Sequence, residues 1–321
     1  MERLVISPPH AAKRGVNALL VKTTVKRALC SSGILDRLAR RGGASFILAA
    51  HVVLDEDAEP LADLLRLLGR AFSIVSMDEY VAALRDGKCR NLLALTFDDG
   101  LRNQLTVAHE VLAALRAPAT FYVCPALVGA AFSTWTWELE PRLSRLPAAR
   151  RQALFRRASA ATFESFLQAL KEMPVSRREA LWQDIVDAAP DFAFDAEEER
   201  RFGLMDWREL SQLDPSLIAI GSHTHTHADL PQLDDERLES ELAESKATLR
   251  AKLGYDARHF AYPNGNHDNR TAHAVARHFA SGVTMVERAV GPNASPYRLP
   301  RVHVQWSASD LAWTLARAAR G

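Results

Sequence analysis

From Ala44 onward the chain alternates short apolar runs with helical patterns, and this alternation limits the fold more than any other feature. The runs are SFILAAHVVL (45–54), LLALTF (92–97), ATFYVC (119–124), LIAIG (217–221), HFAYP (259–263), GVTMV (282–286) and RVHV (301–304). They have the length and composition of buried strands. Between them, residues 60–70, 77–85, 102–116, 235–253, 270–279 and 308–319 carry helical periodicity. Alternation of this kind implies an α/β fold with a largely parallel sheet or barrel, because parallel neighbours need crossover connections. Residues 138–200 break the rhythm. They are rich in Arg, Ala and Glu, hold no strand run, and read as a helical insertion on the rim. Residues 1–43 stand apart as a basic N-terminal helical segment, leaving 44–321 as the main domain.

Charge and cysteine usage exclude some classes of function. Lys plus Arg is 40 and Asp plus Glu is 39, so no global field points to nucleic acid. Cys30, Cys89 and Cys124 are odd in number, widely spaced and without a CxxC, as expected of reduced thiols in a cytosolic setting. The apolar stretch at Ala18–Val21 is too short for a secretory signal, and Lys22 ends it. No apolar run reaches the roughly 18 residues of a transmembrane helix. The expectation is a cytoplasmic protein. Residues 19–41 are locally basic through Lys22, Lys26, Arg27, Arg37, Arg40 and Arg41. Two readings stand for that segment: a solvated capping helix, or a peripheral contact with an anionic membrane.

Chemistry-bearing residues gather at the ends of the strand runs, where parallel α/β folds collect ligands. Asp98 and Asp99 follow LLALTF and are turned at once by Gly100. Adjacent carboxylates repel unless solvent, a cation or a proton donor relieves them. GSHTHTHADL (221–230) follows LIAIG. Were the strand to continue, His223, His225 and His227 would share a face. Were the chain to turn at Gly221, His223 and His227 would converge and His225 would point elsewhere. The apolar run ends at Ile220, which favours the turn. Two imidazoles and a carboxylate suit zinc or a similar divalent ion. In RHFAYPNGNHDNR (258–270), Pro263 and Gly265 set a tight turn whose amides face a ligand. YRLPRVHV (297–304) brings His303 to the end of a late strand. STWTWELE (133–140) places Trp135 and Trp137 near the rim, either to stack on a ligand or to pack the insertion.

TFDDG at 96–100, HTHTH at 223–227 as H-[ST]-x-x-H, and YPNG at 262–265 occur in that order. The chain thereby resembles the NodB-homology polysaccharide deacetylases, carbohydrate esterase family 4, over roughly residues 44–305. The resemblance implies a distorted (β/α) barrel of about seven strands. It implies that Asp98 is the catalytic base and that Asp99, His223 and His227 hold one divalent metal, zinc first, with cobalt and nickel also compatible. It implies that the backbone N–H of Asn264 faces the oxyanion and that His303 is the general acid; were His303 dispensable, water or another residue such as His267 would supply the proton. The family has an arginine two residues before its proline, where this chain has Ala261. Arg301 stands as its candidate replacement and, with Pro263, Trp135 and Trp137, on the substrate side. The fourth-motif tryptophan has no clear counterpart.

The implied activity is metal-dependent removal of an N-acetyl group from an N-acetylated sugar of a glycan or lipid-linked precursor, with release of acetate. Two alternatives remain at this stage: the same fold hydrolysing a small non-sugar amide or cyclic ureide, and a glycan-binding protein with a vestigial site. A base beside a metal set argues against the second, since binding alone has no use for it.

Overall fold

The computed structural model describes residues 33–38, 43–130 and 132–320. The basic segment expected to meet a membrane therefore lies mostly outside the described residues, with only 33–38 described. Its described part is a one-turn helix at Ile34–Asp36, whose Ile34 and Leu35 are buried in the core. No helix among the described residues is long and apolar enough to cross a membrane.

Eight strands, β1 (Phe46–Ala50), β2 (Ser73–Ile74), β3 (Leu92–Phe97), β4 (Ala119–Val123), β5 (Ile218–Ser222), β6 (His259–Ala261), β7 (Ser281–Val283) and β8 (Val302–His303), form one sheet. Its path runs β7-β6-β5-β4-β3-β1-β8, with β2 beside the start of β3. Every pairing is parallel. Leu299 makes a parallel bridge to Val283, while β8 pairs with β1. The stretch 299–303 thus touches β7 at one end of the path and β1 near the other, and the sheet curls into the expected distorted barrel.

The helices cover the outside. α1 (Ala58–Ala71) buries Leu61, Leu64, Leu65 and Leu68, the spacing of one helical face. α2 (Met77–Arg85) starts at a capping box in which Ser76 and Glu79 satisfy each other's amides. α3 (Glu110–Leu115) follows a wide π turn at Gln104–His109. Between β4 and β5 the elements are all helical: α4 (Trp135–Arg145), α5 (Ala148–Arg157), α6 (Phe163–Glu172), α7 (Val175–Ala188), α8 (Ala196–Phe202) and α9 (Trp207–Leu210), besides a 3-10 turn. α4 to α7 share a small core of their own around Leu139, Phe166, Leu170 and Ile185. α10 (Asp235–Leu253), α11 (Asn269–His278) and α12 (Ala308–Ala318) complete the ring.

The runs 259–263 and 282–286 are strands only over His259–Ala261 and Ser281–Val283, and three further details differ from the sequence reading. The run 45–54 is a strand only to Ala50, because His51–Leu54 turn away and the Val53 amide bonds to the Asn103 side chain at 3.0 Å. The helix expected over 102–116 opens into the π turn, which buries Gln104 and directs its amide inward. β2 has only two residues and no apolar run to announce it.

Parallel pairing puts all the strand ends on one rim, and tight backbone there is tested by glycine. Gly265 has φ +75°, and a Cβ there would lie 2.6 Å from both the amide N and the Cβ of Met285. Gly254 has φ +80° with nothing within 4 Å. Gly254→Ala should therefore lose only the left-handed backbone cost, about 1–2 kcal/mol. Gly265→Ala should lose measurably more by urea denaturation. Equal midpoints for the two variants would contradict the close approach at 265.

Candidate active site

Asp98 and Asp99 leave β3 in opposite environments. Asp98 is 2% exposed and accepts two bonds from the Arg301 guanidinium, 2.7 Å to Oδ1 and 2.6 Å to Oδ2. Arg301 is wholly buried. It also donates to Thr96 Oγ1 at 3.0 Å and to the Thr284 carbonyl at 3.0 Å. Burial pushes the Asp98 pKa up, but the bidentate guanidinium outweighs it and holds the carboxyl below its ordinary range. Arg301 therefore has no surface for substrate. Its assignment to the substrate side is corrected: it lies behind Asp98, locking that carboxylate.

Asp99 turns the other way on a positive φ of 75°. Its Oδ1 lies 3.5 Å from His223 Nε2 and 3.4 Å from His227 Nε2. The two imidazole rings are 5.0 Å apart at 73°. One potential ligand atom from each of the three residues lies within 4.8 Å of the others. His223 Nδ1 meets the Ala261 carbonyl at 2.8 Å, so it carries the proton and the Nε2 lone pair is left facing Asp99. Asp99 Oδ1 is buried with no hydrogen-bond partner among the described residues. A carboxylate oxygen orphaned between two imidazole nitrogens is a poor arrangement without a cation and a good one with it. The donor set fits a divalent ion.

The histidine loop follows the turn geometry. β5 ends at Ser222, and Thr224 and His227 take positive φ, 63° and 66°. Glu241 of α10 accepts the amides of His225 and Thr226 at 2.8 and 3.0 Å. His225 is turned toward Glu244, 3.9 Å away, and is not part of the cluster. Among the described residues seven non-glycines have positive φ, and four of them, Asp99, Thr224, His227 and Asn264, sit in these rim loops. Such strain persists only where surrounding bonds over-determine it.

The third turn spans Pro263–Gly265, with Asn264 at φ 56°. The amides of Gly265 and Asn266 bond back to Tyr262 and Pro263, and the Asn264 amide takes no part in that bonding. His267 Nδ1 is engaged by the Gly265 carbonyl at 2.9 Å.

Two residues take places the sequence did not reveal. His51, just past β1, brings Nε2 to 3.8 Å from Asp98 Oδ2. Burial lowers its pKa to about 4, against the pull of Asp98 and Asp99. Gln104 ties the two strand ends together by donating to the carbonyls of Asp98 at 2.5 Å and His51 at 3.0 Å. The signal for His51 was available, as a histidine at the C-terminal end of a parallel strand. It was masked by the apolar Val52–Leu54 that follow.

His303 is stacked on His51, ring centroids 5.7 Å apart at 16°, with Nδ1 meeting its neighbour's carbonyl at 2.9 Å. The residue is open to solvent at its rim, yet poor hydration of the ring lowers its pKa. Trp137 packs on the insertion, the second of the two readings open for it. Its indole N–H donates to Asp99 Oδ2 at 2.8 Å, and its face stacks on Phe202 at 5.4 Å. It orients the Asp99 carboxylate, and the face turned to Phe202 is closed to a sugar. Trp135 stays on the open side, in a cleft that His227 also lines.

Comparison with known proteins now places this geometry. A family described as "Polysaccharide deacetylase" matches residues 85–283, and the chain belongs to that family, the NodB-type carbohydrate esterases. Among solved structures it is similar to the Streptococcus pyogenes deacetylase PplD in complex with acetate, at 18% identity and TM-score 0.56, covering 85% of this chain and 98% of that one. It is similar to IcaB from Ammonifex degensii, at 21% identity and TM-score 0.54, covering 85% and 97%. The BpsB deacetylase domain from Bordetella bronchiseptica gives 18% identity and TM-score 0.51, covering 82% and 96%. These likenesses speak to the fold. No curated protein matches the chain.

Two outcomes follow from the buried charges. Arg301→Met leaves Asp98 buried and unpaired and should destabilise the protein by about 3–5 kcal/mol, with Asp98→Asn added to it recovering part of the loss. Additive losses in the double variant would contradict the pairing. His51 titrates near pH 6.5 when unfolded and about 4 when folded, so its stabilisation is present above 6.5 and is lost as pH falls toward 4. The melting temperature of metal-free protein should fall across that window, and fall less in His51→Gln. An identical fall in both would refute the burial effect.

Proposed function

We propose that the chain is a metal-dependent hydrolase that removes the N-acetyl group from an amino sugar in a glycan or lipid-linked glycan precursor and releases acetate. The observation that carries this is the convergence of Asp99, His223 and His227 beside an Asp98 locked by Arg301. A binding protein gains nothing from a buried carboxylate held charged next to a metal set. Membership of the polysaccharide deacetylase family supports the same reading, as does the acetate bound by the similar PplD.

Asp99, His223 and His227 would hold one divalent ion, zinc first, with cobalt and nickel compatible with the same donors. When bound, it supplies a Lewis acid that polarises the acetyl carbonyl and makes water a nucleophile at neutral pH. Trp137 and the Ala261 carbonyl hold Asp99 and His223 in register for it. Asp98 accepts the proton of the attacking water, and the low pKa that Arg301 imposes keeps it ionised and ready. The N–H of Asn264 donates to the developing oxyanion, a contact typically worth about 2.7–4 kcal/mol. Pro263 shapes that turn.

The leaving amine needs a proton. His51 is the imidazole nearest Asp98, so we give it that role in place of His303. Asp98 passes the proton taken from water to His51, and His51 delivers it to the nitrogen as the C–N bond breaks. His303 supports His51 by stacking.

Acetate release from N-acetyl sugars tests the assignment, with metal content read alongside. Asp98→Asn should keep the metal and lose turnover by roughly 10²–10⁴-fold, the range for general acid–base groups. Asp99→Asn should lose metal first and be partly rescued by excess metal. His51→Ala should slow amides far more than esters with good leaving groups, and His303→Ala should act more weakly in the same direction. A larger amide-specific loss in His303→Ala would return the proton-donor role to His303. Full activity in rigorously metal-free protein would overturn the mechanism.

A further inference from the structure

Asp98 and His51 stand at the ends of neighbouring strands, and strand pairing stops short of both side chains. β1 and β3 stay in register up to Ala50 and Phe97, and the Asp98 amide still donates to the Ala50 carbonyl at 3.0 Å. Beyond that rung the Asp98 carboxylate turns to Arg301, and the chain after His51 turns away to Asn103. Pairing alone therefore does not fix the 3.8 Å between His51 Nε2 and Asp98 Oδ2. Gln104 spans the gap. Its Nε2 donates to the Asp98 carbonyl at 2.5 Å and to the His51 carbonyl at 3.0 Å. Both hydrogens of one amide are thus spent on the two strand ends.

This side chain is not explained by packing. Gln104 is wholly buried, and its Oε1 has no hydrogen-bond partner among the described residues. An orphaned acceptor in the interior is costly. A methionine or leucine would occupy similar space without one. Gln104 also opens the π turn Gln104–His109, a rare winding found often at functional sites. Its neighbour fastens the far side of the same loop. Asn103 Oδ1 accepts the Val53 amide at 3.0 Å, and Asn103 Nδ2 donates to the Arg200 and Arg201 carbonyls at 3.2 and 2.9 Å. The backbone on either side of the His51 carbonyl is held while the ring meets Trp137 and His303, centroids 5.9 and 5.7 Å away.

We propose that Gln104 is a positioning residue that sets the distance between the base Asp98 and the proton donor His51. It touches neither substrate nor reacting atoms and acts through the two carbonyls it joins. The proposal rests on the roles given above to Asp98 and His51. Its effect falls on one step, in which the proton taken from water passes from Asp98 to His51 and on to the leaving nitrogen.

The test uses zinc-loaded protein, with acetate release from the N-acetylglucosamine tetramer set against hydrolysis of p-nitrophenyl acetate, whose leaving group needs no proton. Gln104→Met keeps the length of the side chain and removes the donor. It should retain zinc, lower kcat on the amide by about tenfold to a hundredfold, the scale of a misplacement near 1 Å, and leave KM and the ester far less changed. Gln104→Asn keeps the amide on a stem one methylene shorter and should lie between wild type and Gln104→Met. It also serves as the test if the methionine variant fails to fold. In a His51→Ala background either substitution should cost the amide nothing further. Equal losses on amide and ester, loss of zinc, or a full additional loss in the His51→Ala background would overturn the proposal and leave Gln104 a structural residue. Should His51→Ala slow amides selectively while the Gln104 variants do not, only the role of Gln104 falls. Should His51→Ala leave amide turnover intact, the proton-donor reading falls and takes this proposal with it.

Discussion

The buried ion pair between Arg301 and Asp98 is the interaction on which both the fold and the site depend. Arg301 stands just ahead of β8, and Asp98 just past β3, 203 positions away in the chain. The same guanidinium also holds Thr96 on β3 and the Thr284 carbonyl beyond β7. One side chain therefore fastens three parts of the barrel at the point where the sheet curls to meet itself. Desolvating such a pair is expensive, and good geometry is what offsets it. Here both carboxylate oxygens and the Nε hydrogen find partners, so the pair is satisfied as well as buried.

The pair also resolves the problem posed by two adjacent aspartates. Side by side they would repel, and one would take up a proton. The backbone separates them: Asp98 points at a permanent cation, and Asp99, on a left-handed φ, points at the Nε2 atoms of two imidazoles. Trp137 then bonds the second oxygen of Asp99, and the first has no hydrogen-bond partner among the described residues. Two carboxylates thus acquire two chemical characters from their surroundings. The strain in Asp99, Thr224, His227 and Asn264 is held by bonds that reach in from α10, the insertion and neighbouring strand ends.

Much of this was legible in the sequence because it is local. LLALTF is a strand over its whole length, the helices at 77–85 and 235–253 fall where the periodicity puts them, and the turn after β5 follows from the apolar run ending at Ile220. The convergence of Asp99, His223 and His227 was readable because all three lie one or a few residues past strand ends. What was not legible depends on contacts between distant parts. His51 was hidden inside a run that stayed apolar to Leu54 although pairing stops at Ala50. The spacing of tryptophans in α4 does not say which one faces Asp99 and which the cleft. Arg301 carried no local sign that it would be wholly enclosed, since its partners come from β3 and from the end of β7.

The central claim is that Asp99, His223 and His227 form the metal site while Asp98 is reserved as the base. Anomalous diffraction from crystals of the protein loaded with zinc tests it most directly. One peak is expected, within about 2.0–2.2 Å of an Asp99 oxygen and of the Nε2 atoms of His223 and His227, with Asp98 still paired to Arg301 and His225 left outside. A peak held by Asp98, one centred on His225 and Glu244, or no peak at the three-residue cluster would contradict the account.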